Sequence, residues 1–108
     1  WRPAPFHAGM TITDEPGLYI EGEYGIRIEN TLLTIPYRST DFGEFLQFSS
    51  LTLCPIDTTP IVLSMLSAEE ITWLNDYHRL VYTTLTPYLD REHSAWLKEA
   101  TKPLEMGR

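Results

Sequence analysis

Hydrophobic and polar residues alternate through the first half of the chain, which is the period of half-buried β-strands. Extended segments are predicted at residues 10–14, 18–20, 24–35 and within 46–56. Pro16 and Gly17 mark a turn or kink between the first two segments, and Pro36 is expected to end the third. Residues 37–45 are polar and are expected to form a loop. This half of the chain is therefore predicted to be antiparallel β-structure.

The second half changes to the helical period. Ser67 and Glu70 have the spacing of a capping box, with Ser67 as the N-cap. An apolar stripe then follows at Ile71, Leu74, Tyr77, His78, Val81 and Leu85. Pro87 is expected to end this helix, and Asp90 to cap a second, shorter one. The fold class is therefore α+β, with antiparallel strands followed by two C-terminal helices.

Three charged residues of the strand region point to a metal. Glu15 and Glu29 lie at the ends of two extended runs, and Arg27 precedes Glu29 by two residues, so it shares a strand face with Glu29. A buried carboxylate requires a cation, either an arginine or a metal ion. Two carboxylates with one arginine leave one negative charge over, which a metal ion can neutralise.

The sequence around these residues resembles the last two metal-ligand segments of the pita-bread metallopeptidases, and within them the larger cytosolic aminopeptidase P (Xaa-Pro aminopeptidase). The matching blocks cover nearly the whole chain, and their order and spacing make the match specific. They are residues 8–17, Tyr19, residues 25–30, 51–56 and 73–78, Trp96-Leu97, and residues 101–103.

The resemblance implies a dinuclear site built from two aspartates, one histidine and two glutamates, of which only the glutamates match this chain. We therefore expect the chain to be a C-terminal piece of a longer protein. Residues 1–45 are expected to be the end of the pita-bread catalytic domain. Residues 46–108 are expected to be a family-specific extension of one strand and two helices.

The resemblance also implies a role for each site residue. Glu15 would bind one metal and act as a candidate general base, and Glu29 would bridge both metals. Arg27 would orient a ligand aspartate and shape the proline pocket, which Tyr19 would line. The oxygen-rich ligand set suits Mn²⁺, with Zn²⁺ or Co²⁺ as alternatives. Because it holds two ligands of the set, the chain alone is expected to bind metal weakly and to be inactive.

Composition narrows the partners. The chain of 108 residues carries 8 Lys and Arg against 15 Asp and Glu, a formal charge of −7. This charge argues against nucleic acid and anionic membranes as partners. No apolar run approaches the roughly 20 residues of a membrane-spanning helix. Cys54 is the only cysteine, so no internal disulfide can form, which fits a reducing compartment.

The resulting hypothesis is a cytosolic, homodimeric metallo-aminopeptidase that hydrolyses the N-terminal Xaa-Pro bond of peptides with proline in the second position. Two alternatives stay open at this point. The first is another pita-bread enzyme of the prolidase, methionine aminopeptidase or creatinase type. The second is a pita-bread domain that has lost its metals and serves as a binding module.

Overall fold

The computed structural model describes residues 4–105, which form two compact units. The first unit reaches Thr52 and contains all the strands, and the second starts at Leu53 and contains the helices. The predicted α+β class, with strands first and two helices after them, is confirmed. The start of the extension at residue 46 stays a prediction.

The first unit is antiparallel throughout. Its strands are β1 (Thr11–Asp14), β2 (Gly17–Ile20), β3 (Tyr24–Arg27), β4 (Asn30–Thr40) and β5 (Gly43–Ser50). A three-stranded sheet has the order β1-β4-β5, and β2 and β3 form a separate two-stranded ribbon. β1 pairs with β4 from Thr11↔Leu33 to Asp14↔Asn30, and β2 pairs with β3 from Gly17↔Arg27 to Ile20↔Tyr24.

The prediction of one strand over residues 24–35 is wrong, because β3 and β4 are interrupted at Ile28 and Glu29. Proline explains the interruption. Pro16 lies across from Ile28 and has no N–H to donate to the ladder. One bond remains, from the Ile28 N–H to the Pro16 carbonyl at 3.3 Å, and it keeps the two segments side by side.

Pro36 does not end β4, and residues 37–45 are not a loop. β4 continues to Thr40, turns through Asp41 and Phe42, and returns as β5. The register shifts between Pro36 and Arg38, where the β1 ladder has already ended, and proline is tolerated at such bulges on a free edge.

The strand predicted within residues 46–56 lies earlier, as β5, and residues 51–56 are not in a strand. Leu51 still donates its N–H to the Thr31 carbonyl at 2.8 Å. The chain therefore leaves the sheet gradually before the second unit begins.

The second unit contains α1 (Ala68–Leu85) and α2 (Arg91–Ala100), with short 3-10 helices at Leu63–Met65 and Thr86–Tyr88. The capping box of Ser67 and Glu70 is present, and Asp90 caps α2 by accepting the His93 N–H at 2.8 Å. The core cluster consists of Leu74, Tyr77, Val81 and Leu97. The helical stripe read from the sequence is thus the buried face of α1. No described helix is both long and apolar enough to cross a membrane.

Side chains of α1 form hydrogen bonds to the backbones of two segments that lack regular secondary structure. His78 is fully buried, and its Nε2 accepts the Ile56 N–H at 3.1 Å. Asn75 donates to the Leu104 carbonyl at 3.0 Å and accepts the Leu104 N–H at 2.8 Å. Burial lowers the pKa of His78 below its usual value of 6.5, so the imidazole is neutral with its proton on Nδ1.

Candidate metal and substrate site

One register places the two predicted ligand glutamates across from each other. The β1–β4 ladder ends with Asp14↔Asn30 and the β2–β3 ladder begins with Gly17↔Arg27, so two residues intervene on each side. The register is therefore the same on both sides of the interruption, and Glu15 faces Glu29. Directly opposed side chains of an antiparallel pair have Cβ atoms about 4.5–5.5 Å apart, and like charges there repel each other.

Arg27 reduces this repulsion. Its Nε lies 3.1 Å from Oε2 of Glu29, and its Nη1 lies 3.8 Å from Oε2 of Glu15. The three side chains are 37–49% exposed in this chain. Two carboxylates around one guanidinium carry a net charge of −1, so the cluster still attracts a cation.

Tyr19 lies flat across the β2–β3 ribbon on the same face. A Cβ atom built on Gly25, its cross-strand partner, would lie 2.6 Å from the ring, and one built on Gly17 would lie 2.6 Å from the hydroxyl. Both glycines have ordinary φ angles, so what they provide at these positions is space. The ring therefore occupies the room that two missing side chains leave.

The hydroxyl of Tyr19 reaches Arg27. The Tyr19 side chain is the largest influence that raises the pKa of Arg27, followed by the negative charges of Glu29 and Glu15. Arg27 is thus held from three directions and stays positively charged. Arg27 and Tyr19 were assigned separate roles from the sequence, but in the structure the two side chains lie next to each other.

Thr13 is a site residue that the sequence reasoning missed. Its hydroxyl donates to Oε1 of Glu15 at 2.5 Å. Residues 13 and 15 are two apart on an extended segment, so the signal was present in the alternation of the strand. Thr13 and Arg27 therefore contact different oxygens of the same carboxylate.

Two family models match the chain. The model described as "Metallopeptidase family M24" matches residues 2–35, and the one described as "C-terminal region of peptidase_M24" matches residues 44–104. The chain belongs to metallopeptidase family M24. The first match contains the whole cluster, which consists of Thr13, Glu15, Tyr19, Arg27 and Glu29. The second match contains both helices.

Several relatives of the chain are named as aminopeptidases P. The chain is 41% identical to "Aminopeptidase P1" of Arabidopsis thaliana over 98% of its own length, and 39% identical to "Xaa-Pro aminopeptidase 1" of Dictyostelium discoideum over 95%. It spans 17% of the length of each of these relatives. The chain therefore corresponds to a C-terminal part of an aminopeptidase P.

A solved M24 structure has the same fold. It is the X-prolyl aminopeptidase of Caenorhabditis elegans, described as a cytosolic enzyme with a di-nuclear active site. The TM-score is 0.79 at 41% identity, and the match covers 92% of this chain and 17% of that one. The predicted fold class, the C-terminal part of a pita-bread domain followed by two helices, is confirmed.

The M24 cluster fits part of a metal site. Its two carboxylates offer oxygen atoms of the kind that divalent metal ions bind, and its net charge favours a cation. Within residues 4–105, however, no group of three or more His, Cys, Asp and Glu side chains is arranged to hold a metal ion. A complete centre therefore requires ligands in addition to those that the described residues bring together.

Proposed function

We propose that this chain supplies two metal-ligand glutamates to an aminopeptidase that hydrolyses the bond between an N-terminal residue and a proline in the second position. The observation that carries the proposal is the opposition of Glu15 and Glu29 in one register, with Arg27 in contact with both. The naming of the relatives as Xaa-Pro aminopeptidases and the di-nuclear site of the Caenorhabditis elegans enzyme support it.

Each residue of the cluster has a proposed task. Glu29 would hold both metal ions, because a carboxylate has two oxygens to offer. Glu15 would hold one metal ion, and its carboxylate would accept a proton from the attacking water. When bound, two divalent ions lower the pKa of that water enough for attack on a peptide carbonyl near neutral pH.

Arg27 and Tyr19 act on geometry. Arg27 keeps the two carboxylates from separating, because it is within 3.8 Å of both. The ring of Tyr19, 63% exposed in this chain, offers a flat apolar face beside the carboxylates. We propose that this face lines the pocket for the proline ring of the substrate.

Proline explains why a dedicated enzyme is needed. A peptide bond to proline has no N–H, so a peptidase that binds that N–H cannot recognise it. A pocket that recognises the ring solves this problem. Relatives named for Xaa-Pro cleavage favour this substrate over those of prolidase, methionine aminopeptidase or creatinase, and over a metal-free binding module.

The finer properties are part of the same proposal. Mn²⁺ is the proposed metal because carboxylate oxygens suit it, with Zn²⁺ and Co²⁺ as alternatives. A cytosolic location is supported by the description of the Caenorhabditis elegans enzyme. Homodimerisation rests on the resemblance alone. The chain by itself is proposed to bind metal weakly and to be inactive, since it brings only two ligand carboxylates together.

The test is cleavage of a peptide with proline in the second position by the full-length protein with added Mn²⁺. Glu29→Gln, which keeps the shape and removes the charge, should abolish measurable cleavage and lower the metal content. Glu23→Gln makes the same change in the turn between β2 and β3 and should leave both unchanged. A full-length protein that cleaves no such peptide with any divalent metal contradicts the proposal and favours the binding module. Full activity of Glu29→Gln removes Glu29 from the ligand set.

A further inference from the structure

The contact between Thr13 and Glu15 has the geometry of a strong hydrogen bond. The hydroxyl oxygen lies 2.5 Å from Oε1 of Glu15. An ionised carboxylate only accepts hydrogen bonds, so the hydroxyl is the donor. Distances of about 2.5–2.7 Å are typical of hydroxyl donors on ionised oxygens, whose bonds are about twice as strong as neutral ones.

The donor is held more firmly than the acceptor. Thr13 belongs to β1 and is paired with Thr31 of β4, so its backbone is fixed by the ladder. Threonine is branched at Cβ, which leaves χ1 few options. Glu15 follows the last ladder pair, and its longer side chain has more rotatable bonds. Thr13 therefore provides a fixed point against which Glu15 can be oriented.

Thr13 and Arg27 contact different oxygens of the Glu15 carboxylate. Thr13 contacts Oε1, and Arg27 lies 3.8 Å from Oε2. The hydrogen bond from Thr13 fixes Oε1, and the longer ion pair with Arg27 favours an orientation with Oε2 towards the guanidinium. A metal ligand needs a suitable position and orientation, because the lone pairs of the free side must point at the ion.

We propose that Thr13 is a positioning residue for the metal-ligand carboxylate of Glu15. The inference rests on the proposed function, because it requires that Glu15 binds metal. It adds that the hydroxyl of Thr13 pre-orients the ligand before metal arrives. Partners that orient a metal ligand in this way affect metal affinity or activity by about 10- to 100-fold when removed.

A purely structural role predicts a different outcome. Thr13 is an exposed strand residue, and valine has at least the strand propensity of threonine. Thr13→Val therefore keeps the shape of the side chain and the strand, and removes only the hydroxyl. Its effect on folding should be small, whereas its effect on metal binding should be large.

The experiment uses the full-length protein stripped of metal and titrated calorimetrically with Mn²⁺. Thr13→Val should weaken binding at one of the two sites by about 10- to 100-fold, and kcat should fall with little change in KM. Thr13→Ser restores a hydroxyl and should restore affinity. Thr11→Val makes the same change on the same strand, at a residue with no described side-chain contact to a carboxylate, and should behave as the wild type. Thermal unfolding of the metal-free variants checks that all four proteins are folded alike.

Each result decides the inference separately from the activity. Mn²⁺ affinity of Thr13→Val equal to that of the wild type overturns it, as does a loss that Thr13→Ser fails to reverse. If the wild type binds two Mn²⁺ and cleaves no Xaa-Pro peptide, the proposed activity fails while the affinities still decide the role of Thr13. If the wild type binds no divalent metal, the inference fails together with the metal site.

Discussion

Replacing Gly25 with alanine tests whether the ring of Tyr19 needs the space beside it. The new Cβ atom would lie 2.6 Å from Cδ1 of Tyr19 and 3.1 Å from Cε1. Carbon atoms in contact normally lie about 3.5–4.0 Å apart, so the ring must move by roughly 1 Å or swing away. The backbone itself accepts alanine, because φ of Gly25 is not positive. The whole effect is therefore expected to pass through Tyr19.

Movement of the ring withdraws the hydroxyl from Arg27. Tyr19 has the largest influence on the pKa of this guanidinium, which in turn contacts both carboxylates. A displacement of about 1 Å in a catalytic arrangement can reduce the rate by about 100-fold. We expect Gly25→Ala to lower kcat/KM for a peptide with proline in the second position by about 10- to 100-fold.

The assay is steady-state cleavage by the full-length protein with Mn²⁺. Tyr19→Phe keeps the ring and removes the hydroxyl, which separates the hydrogen bond from the apolar face. In a Tyr19→Ser background no ring remains to be displaced, so Gly25→Ala should then cost little. A wild-type kcat/KM for Gly25→Ala refutes the reasoning, and so does an equal loss in the Tyr19→Ser background.

Three predictions concern the helical unit and are measured by hydrogen exchange of α1 amides in the full-length protein. Because the pKa of His78 is lowered in the folded state, the unfolded state takes up a proton on this imidazole at higher pH than the folded state does. The free energy of opening that protects the α1 amides should therefore fall as the pH drops below about 6.5, by up to about 1.4 kcal/mol per pH unit. Protection that is flat between about pH 7 and pH 5, or that falls equally steeply in His78→Gln, contradicts this. Asn75→Ala leaves two backbone groups of Leu104 without their partners and should cost about 1–3 kcal/mol, whereas Asn75→Asp, which still accepts the N–H, should cost less. Ser67→Ala removes the acceptor of the Glu70 N–H and should cost about 1 kcal/mol, with Ser67→Thr as the control that retains a cap.

The sequence predicted best what depends on neighbours along the chain. The alternation of β1, the capping box of α1 and its apolar stripe are all local, and each is present in the structure. Arg27 and Glu29 were placed on one strand face because they are two residues apart, and their side chains are in contact, although Glu29 lies in the interruption between β3 and β4.

The failures depend on pairing between strands. Pro36 stops a strand only where its missing N–H is needed, and whether that edge is paired depends on where β1 ends. Residues 37–45 were predicted to be a loop because they are polar, yet they form the end of β4, a two-residue hairpin turn and the start of β5. Local polarity does not distinguish an exposed strand from a loop.

The dependence on strand pairing also explains why only part of the candidate site was predicted from the sequence. The charges of Glu15, Arg27 and Glu29 were recognised from their types and spacing. The position of Tyr19 over two glycines requires the register of β2 and β3, which no single segment reveals. With that register known, the two glycines under the ring of Tyr19 can also be identified from the sequence.

The register shared by the two ladders makes the spacing of the site depend on the turn at residues 21–23, which lies at the far end of the ribbon. Side chains alternate between faces, so a slip by one residue would place Glu15 across from Ile28 or Asn30 and leave Glu29 on the other face. A shift by two would keep both carboxylates on one face but end their direct opposition. An insertion in this surface turn therefore preserves the opposition of Glu15 and Glu29 only where the turn absorbs the extra residue and the register of the ribbon is kept.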